Sequence, residues 1–451
     1  MRVEEVLNQS PPYVDVDLYA SDRPLQSAVA ANGGACDAAA LSAFGKHWGT
    51  AEMFDLARAA NENPPELKAF DAKGFRRDVV EFHPAYHHFM AESVAAGLAA
   101  STWRQDGTPA RAPAQVSRAA RFYMAAQVET GHLCPITMTH AAVAAVAVER
   151  SLVAEFMPKI MSRRYDPRFR PWWEKGGITL GMGMTEKQGG TDVRTIINMV
   201  QLTRLDCAIA SAGLMRMALA QAIHHARYRT VFQKHLADQP MMRAVLADMA
   251  LEVEAATALT LRLARSFDLA EGDVREAARA RLLTPAVKYW VCKRAPGLIC
   301  EAMECLGGNG YVEESILPRL YREAPVNAIW EGSGNVMCLD VLRALGHDGE
   351  AARAVLAALA EEAADLPDAR AAVDVIARAA AAEDAEGEAR AAVDRLALLA
   401  AAAALQQSAA PEVANLFART RRDDRHGAMY GTSRIAPDDA RGLIDRALPA
   451  A

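Results

Sequence analysis

The sequence has no Cys-x-x-Cys pair and no Cys/His cluster at metal-ligand spacing. Its seven cysteines stand singly: Cys36, Cys134, Cys207, Cys292, Cys300, Cys305 and Cys338. That pattern gives no metal site and reads as reduced, mostly buried thiols of a cytoplasmic protein. Long apolar runs are also missing. No window reaches about 18 uninterrupted apolar residues, and the alanine-rich run at 396–405 is too short to span a bilayer. The opening stretch MRVEEVLNQSPPYVDVDLYASD carries no signal-like apolar segment. The expectation is a soluble protein with no membrane partner.

Basic charge is in short supply. Net charge is −6, so the whole-molecule field does not attract nucleic acid, and such binding needs a local patch. Residues 347–451 hold no lysine at all, and 12 arginines there face 18 aspartates and glutamates. Nucleotide fingerprints are missing too. The glycine-rich stretch GMGMTEKQGGTD (181–192) lacks the Gly-Lys-Ser/Thr of a phosphate loop and the G-x-G-x-x-G of a dinucleotide fold. Nowhere do four or more alternating strand patterns occur together, so no substantial β domain is encoded.

What is present is helix. With 51% hydrophobic and 24% charged residues over 451 positions, the chain is an ordinary globular protein of two to four units. Residues 1–25 read as an extended arm. The pattern from about Leu25 to Glu155 is helical, broken at Asn63-Pro64-Pro65, His83-Pro84 and Pro109 to Pro113. A basic, aromatic, proline-broken linker covers 156–177 and is expected to pack Trp172 and Trp173 into a domain junction. ITLGMGM looks β-like. From Met199 an amphipathic helix resumes, with Leu202, Leu205, Ile209, Ala212, Met215, Leu219 and Ile223 on one face. A helix pair is expected from Val274 to Cys305, a stop at Gly307 to Gly310, and a helix from near Asn335. The resulting division is 1–178, a vestigial β segment at 179–198, 199–346, and an alanine-rich helical unit at 347–451. The fold class is predominantly all-α.

Each motif has two readings. GMGMTEKQGGTD is a tight turn, or a set of hydroxyls and amides wrapping a polar cofactor edge. LGGNGYVEE ends a helix, or lets backbone approach a ligand closely. In IWEGSGN, Glu331 is a helix-capping acid, or a partly desolvated carboxylate suited to act as a general base. Asp206, at the edge of the apolar stripe, is salt-bridged to Arg204 or Arg216, or is itself catalytic. The run ARTRRDDRHG, with Arg419, Arg421, Arg422 and Arg425, is a solvated turn or a phosphate-contacting patch.

Taken in order, MTEKQGGTD, RTVFQKHLADQP (Arg229 to Pro240), ECLGGNGY and IWEGSGN resemble the acyl-CoA dehydrogenase flavoproteins. NENPPEL and LCPITMTHAA resemble the alkylation-response AidB group within them. The resemblance runs from about Asn8 to Arg446. It implies FAD. Met184, Thr185, Gly190 and Thr191 would contact the flavin and pyrophosphate. Arg229, Phe232 and Gln239 would reach the adenine half of FAD on a neighbouring subunit. Gly307, Gly308 and Gly310 would form the glycine loop, and Trp330, Ser333 and Asn335 the second flavin contact. Two positions depart from the family: Gln233 replaces a glycine and Glu304 a glutamine. The implied chemistry is α,β-dehydrogenation of an acyl thioester, weak in this group, with Glu331 or Asp206 as base. The resemblance also implies a homotetramer that protects double-stranded DNA, with Arg419, Arg421, Arg422, Arg425 and Arg434 on phosphates. One element is missing. Family members carry a β-barrel-like middle domain after the MTE turn, whereas here Asp192 runs almost directly into the helix that should follow that domain. The alternative is therefore a non-catalytic, flavin-deficient scaffold or DNA-binding relative.

Overall fold

The computed structural model describes residues 7–183, 197–347, 349–421 and 427–449. The helices follow the sequence signals closely. In the N-terminal third they are α1 (Arg23–Ala31), α2 (Ala38–Trp48), α3 (Ala51–Glu62), α4 (Pro84–Ala95), α5 (Ala114–Ala126), α6 (Leu133–Val146) and α7 (Arg150–Ile160). Three long helices come next: α8 (Ile197–Tyr228), α9 (Pro240–Leu269) and α10 (Val274–Leu306). Short α11 (Gly308–Tyr311), α12 (Ile316–Asn327) and α13 (Gly334–His347) lead to α14 (Gly349–Glu362), α15 (Ala369–Ala381), α16 (Ala385–Ser408), α17 (Pro411–Arg421) and α18 (Pro437–Ala447). The caps are chemical. Thr50 and Asp273 accept backbone N–H groups at the starts of α3 and α10, and prolines open α4, α9 and α18.

Three expectations change. Residues 66–81 are not helical but form an antiparallel hairpin of β1 (Glu66–Phe70) and β2 (Arg76–Glu81). Its turn is set by Asp71, whose Oδ1 accepts from the N–H groups of Lys73 and Phe75 at 2.8 and 3.0 Å. The helix pair expected over Val274 to Cys305 is one 33-residue helix, α10, with Pro285 and Pro296 inside it. The β-like ITLGMGM is not strand over 178–183, and its remainder lies outside the described residues.

The helix α8 is the larger surprise. It reads as amphipathic, yet every residue from Met199 to Ala220 is buried. It is the axis of the molecule, packed by α5, α6, α9, α10 and α12. Its polar side chains therefore need partners inside the protein. Arg216 donates to Asp22 Oδ2 at 2.8 Å and to the Ser21 carbonyl at 3.0 Å. Arg204 donates to Asp340 Oδ2 at 2.6 Å. Asp206 is held by Arg118.

One apolar cluster runs from Tyr13 to Leu448 and draws on every helix except α7 and α11. The alanine-rich C-terminal unit is pinned to α9 by buried charge. Arg421 donates to the Asp248 carboxylate, Ser433 donates to Asp248 Oδ1 at 3.0 Å, and Arg446 donates to Glu254 Oε1 at 2.5 Å. In the linker, Trp172 packs on Phe156 of α7 at 4.7 Å between centroids, and Trp173 is 64% exposed. Among the described residues, no helix is long and apolar enough to cross a membrane.

Candidate active site

A cavity of about 490 Å³ lies between α6, α8 and α12. Thr130, Cys134, Thr137 and Met138 approach it from the α6 side. Thr203, Asp206, Cys207 and Ala210 line it from α8, and Glu323, Asn327, Trp330 and Glu331 from α12 and the turn after it. The two carboxylates singled out in the sequence, 125 positions apart, thus meet in one space, joined by a third that the sequence reading missed, Glu323.

Glu331 sits in a strained turn. Its φ is +59° and that of Gly332 +107°, both left-handed. A Cβ on Gly332 would stand 2.6 Å from Met337 Cε, so the turn needs glycine there. Two cations fix it by its carbonyls: Arg204 Nε donates to Glu331 O at 3.0 Å and Lys288 Nζ to Gly332 O at 2.9 Å. The Thr203 hydroxyl then donates to Glu331 Oε2 at 2.8 Å. Glu331 does not cap α13; it is aimed by α8.

Asp206 stands differently. Neither Arg204 nor Arg216 is its partner. Arg118 of α5 donates to both its oxygens at 2.6 and 2.7 Å, and Thr137 donates to Oδ2 at 2.9 Å. Arg118 and Asp206 are each 1% exposed. His140 lies 4.0 Å from the same carboxylate, and burial together with Arg118 holds its imidazole well below the ordinary range, so it adds no second cation. Asp206 is thus the counter-ion of Arg118, and Glu331 is the freer carboxylate. Burial pushes the thiols of Cys134 and Cys207 up, which makes them poor nucleophiles.

Of the other expected residues that are described, only Trp330 lines this cavity. Gly307, at φ +60°, closes α10, which is the simpler of its two readings. Trp330 stands 36% exposed, and Ser333 is exposed on the same turn. The Asn335 side-chain oxygen accepts from Arg390 of α16 at 2.9 Å. Arg229 donates to the Asn8 carbonyl at 2.7 Å, Gln239 to Val231 O at 3.1 Å, and Phe232 projects 92% exposed from the hairpin of β3 (Thr230–Val231) and β4 (Lys234–His235). The φ of Gln233 is +64°, which explains why a glycine belongs there. Met184, Thr185, Gly190 and Thr191 lie outside the described residues, as do Arg422 and Arg425. Arg419 and Arg434 are exposed, but Arg421 is buried against Asp248 and Glu252 and is not available to a phosphate.

Comparison with known proteins fits this geometry. Residues 8–167 match the family model described as adaptive response protein AidB N-terminal domain, and residues 193–346 the acyl-CoA dehydrogenase C-terminal domain. The chain is 40% identical over 438 aligned positions to the putative acyl-CoA dehydrogenase AidB of Escherichia coli K12, covering 75% of this chain and 80% of that one. The chain belongs to the acyl-CoA dehydrogenase family, in its AidB group. Because 75% of 451 residues fill only about 338 of those 438 positions, about 100 positions of the relative face no residue here. The two matched regions are separated by 25 residues, 168–192. Both findings agree with loss of the middle domain. The structure of ACDH-11 of Caenorhabditis elegans, in complex with C11-CoA, superposes with a TM-score of 0.77 at 21% identity over 93% of each chain. An FAD complex of an acyl-CoA dehydrogenase from Bacillus anthracis superposes at 0.58, with 13% identity over 81% of each. Both show the shared fold.

Without a middle domain, Val326, Ile329 and Trp330 stand partly exposed beside the cavity, with Val326 and Trp330 on its lining. An indole in solvent next to a turn with a free hydroxyl is a fit for the flat, polar-edged ring of a flavin.

Proposed function

We propose that this chain is an FAD-binding acyl-CoA dehydrogenase-like protein of the alkylation-response type, with weak α,β-dehydrogenation of acyl thioesters. The observation that carries the reading is the cavity of about 490 Å³ that places Glu331 beside an apolar wall of α6 and α8. An acyl chain suits that wall, since hydrophobic lining with few placed polar groups orients such a ligand. Glu331 is the base for the α-proton. Thr203 fixes one of its oxygens and Arg204 and Lys288 fix its backbone, so no reorganisation is required at the moment of transfer. Asp206 keeps Arg118 neutralised behind the cavity and does not take the proton. Trp330 and Ser333 would hold the ring of FAD, with Met184, Thr185, Gly190 and Thr191 opposite. Arg229, Phe232 and Gln239 would serve the adenine half across a homotetramer, with Gly307 and Gly308 in the glycine loop. When bound, FAD supplies the acceptor for the β-hydride. The uncovered Trp330 would leave that ring open to water, which weakens a preorganised site and would keep turnover low.

The purified protein should be yellow or take up added FAD with a flavin absorbance band. Colourless protein that fails to do so refutes the cofactor assignment and leaves the non-catalytic scaffold. Light scattering tests the tetramer. A second reading, protection of double-stranded DNA, rests on the exposed Arg419 and Arg434. Absence of duplex retardation at low salt would exclude it.

A further inference from the structure

The linker at 156–177 lines no part of the cavity beside Glu331, and it turns aromatic rings out to solvent. Phe169 is 72% exposed and Trp173 64%. The backbone beneath Trp173 is nevertheless held in place. Its neighbour Trp172 packs on Phe156 of α7, and the Lys159 ammonium lies 5.6 Å from the Trp172 ring centroid. From α7 that same ammonium donates to three carbonyls of the turn, Trp172 at 3.2 Å, Trp173 at 2.9 Å and Lys175 at 2.7 Å. Trp173 meets Trp172 edge to face, with 5.8 Å between centroids and 85° between planes. A ligand that covers the exposed indole therefore has little chain left to order.

The same segment gathers positive charge in an acidic protein. Lys159, Arg163, Arg164, Arg168, Arg170 and Lys175 stand against two acids, Asp166 and Glu174, while the whole chain carries −6. Arg168 neutralises Asp166, at 2.8 Å from its Nε. Arg170 reaches Glu174 at 3.1 Å, but these side chains are 55% and 45% exposed, and such a pair is weak. Arg163 donates to the Ala95 carbonyl. Neither it nor Arg164 meets an acid among the described residues, and all four arginines are exposed.

We propose that this linker is a docking surface for single-stranded nucleic acid, with Trp173 and Phe169 stacking on bases and Arg163, Arg164 and Arg170 on phosphates. The assignment is independent of the flavin reading. The two rings are four residues apart, a span of at most about 14 Å along the chain, so one short strand reaches both. Exposed rings among guanidinium groups complement a polyanion that carries flat faces, because every base offers a π-face and every nucleotide a negative charge. A duplex hides those faces in its own stack and leaves only its phosphates to the arginines. A lipid surface is held through buried apolar area, and two rings on a loop broken by Pro167 and Pro171 offer little of it.

The test uses the full chain and the fluorescence anisotropy of a labelled single strand of about 15 thymidines, set against a duplex of equal length and against phosphatidylserine vesicles. At low salt the single strand should bind, and the duplex about tenfold more weakly. Trp173→Ala should weaken single-strand binding by about tenfold or more, and Trp173→Phe should keep most of the affinity. Arg164→Gln should reduce the slope of log affinity on log salt by about 0.7. Arg419→Gln combined with Arg434→Gln should leave single-strand binding unchanged. Because these side chains are exposed, every variant should melt like the parent. The assignment is overturned if the parent ignores the single strand, if the duplex binds as tightly, or if Trp173→Ala binds like the parent. Loss of binding in the Arg419→Gln, Arg434→Gln variant moves the contact to the C-terminal unit and overturns it too. Vesicle binding without strand binding makes the patch a lipid surface and sinks the proposal.

Discussion

Substituting Asp206 by alanine separates a structural carboxylate from a catalytic one. The change removes the acceptor of two hydrogen bonds from Arg118, at 2.6 and 2.7 Å, and one from Thr137 at 2.9 Å. Arg118 then keeps only its Nε–H bond to Leu98 O at 2.7 Å. The guanidinium is 1% exposed, so any replacement partner would have to come from the adjoining cavity. Stranding a buried charge in this way costs about 3–5 kcal/mol. His140 cannot share the loss, because burial and the neighbouring Arg118 keep its imidazole neutral. The measurement is urea unfolding followed by circular dichroism at pH 7, with flavin content recorded beside it. Asp206→Ala should unfold at markedly lower urea. The double variant Arg118→Met with Asp206→Leu should recover most of the loss, because replacing a whole buried ion pair with apolar groups is often neutral. If Asp206→Ala melts like the parent and only turnover falls, Asp206 is the base and the assignment to Glu331 is wrong.

Glu323→Gln should change stability in a pH-dependent way. Burial raises this carboxyl from 4.5 to about 7 in the folded state, so ionisation opposes folding. Parent stability falls as pH rises from about 4.5 through 7, and the full cost above 7 is about 3 kcal/mol. The variant should therefore gain that amount at pH 8.5 and nothing at pH 4.5; an equal effect at both would refute the shift. Gln233→Gly should stabilise by about 0.5–1 kcal/mol, since φ is +64° and an L side chain is strained there. A lower melting temperature would count against it. Gly332→Ala should cost about 1–3 kcal/mol, from φ +107° and the 2.6 Å approach to Met337 Cε. Unchanged melting would show that the turn relaxes freely.

The helical class, the helix end at Asn63, the helix start at His83, and the order of the glycine motifs were all legible in the chain, because they depend on neighbours within a few positions. The hairpin at 66–81 was missed because its strands bury no continuous face, which removes the period-2 signal. Only Asp71 and Gly74 marked it. Burial of α8 on every side was hidden because its polar residues imitate a solvent face. What decides their environment is the partner, and Asp206 finds Arg118 88 residues away. Periodicity carries no information at that range, so two plausible local partners, Arg204 and Arg216, were preferred. Arg421 shows the same limit. In sequence it sits in a basic run, while in space it turns inward to Asp248. Glu323 carried no motif at all; its distinction is a buried oxygen without a partner, which exists only after folding.

The clasp between α9 and the C-terminal unit bears on how the chain is made. Asp248 and Glu254 are synthesised long before Arg421 and Arg446, which lie 173 and 192 residues further on. Until those arginines leave the ribosome, the middle helix presents acidic groups to a core that has no cations for them. Contacts of this range delay collapse to the end of translation. A chain halted before Arg446 therefore remains a substrate for chaperones and proteases, and this protein is expected to fold as one late event rather than domain by domain.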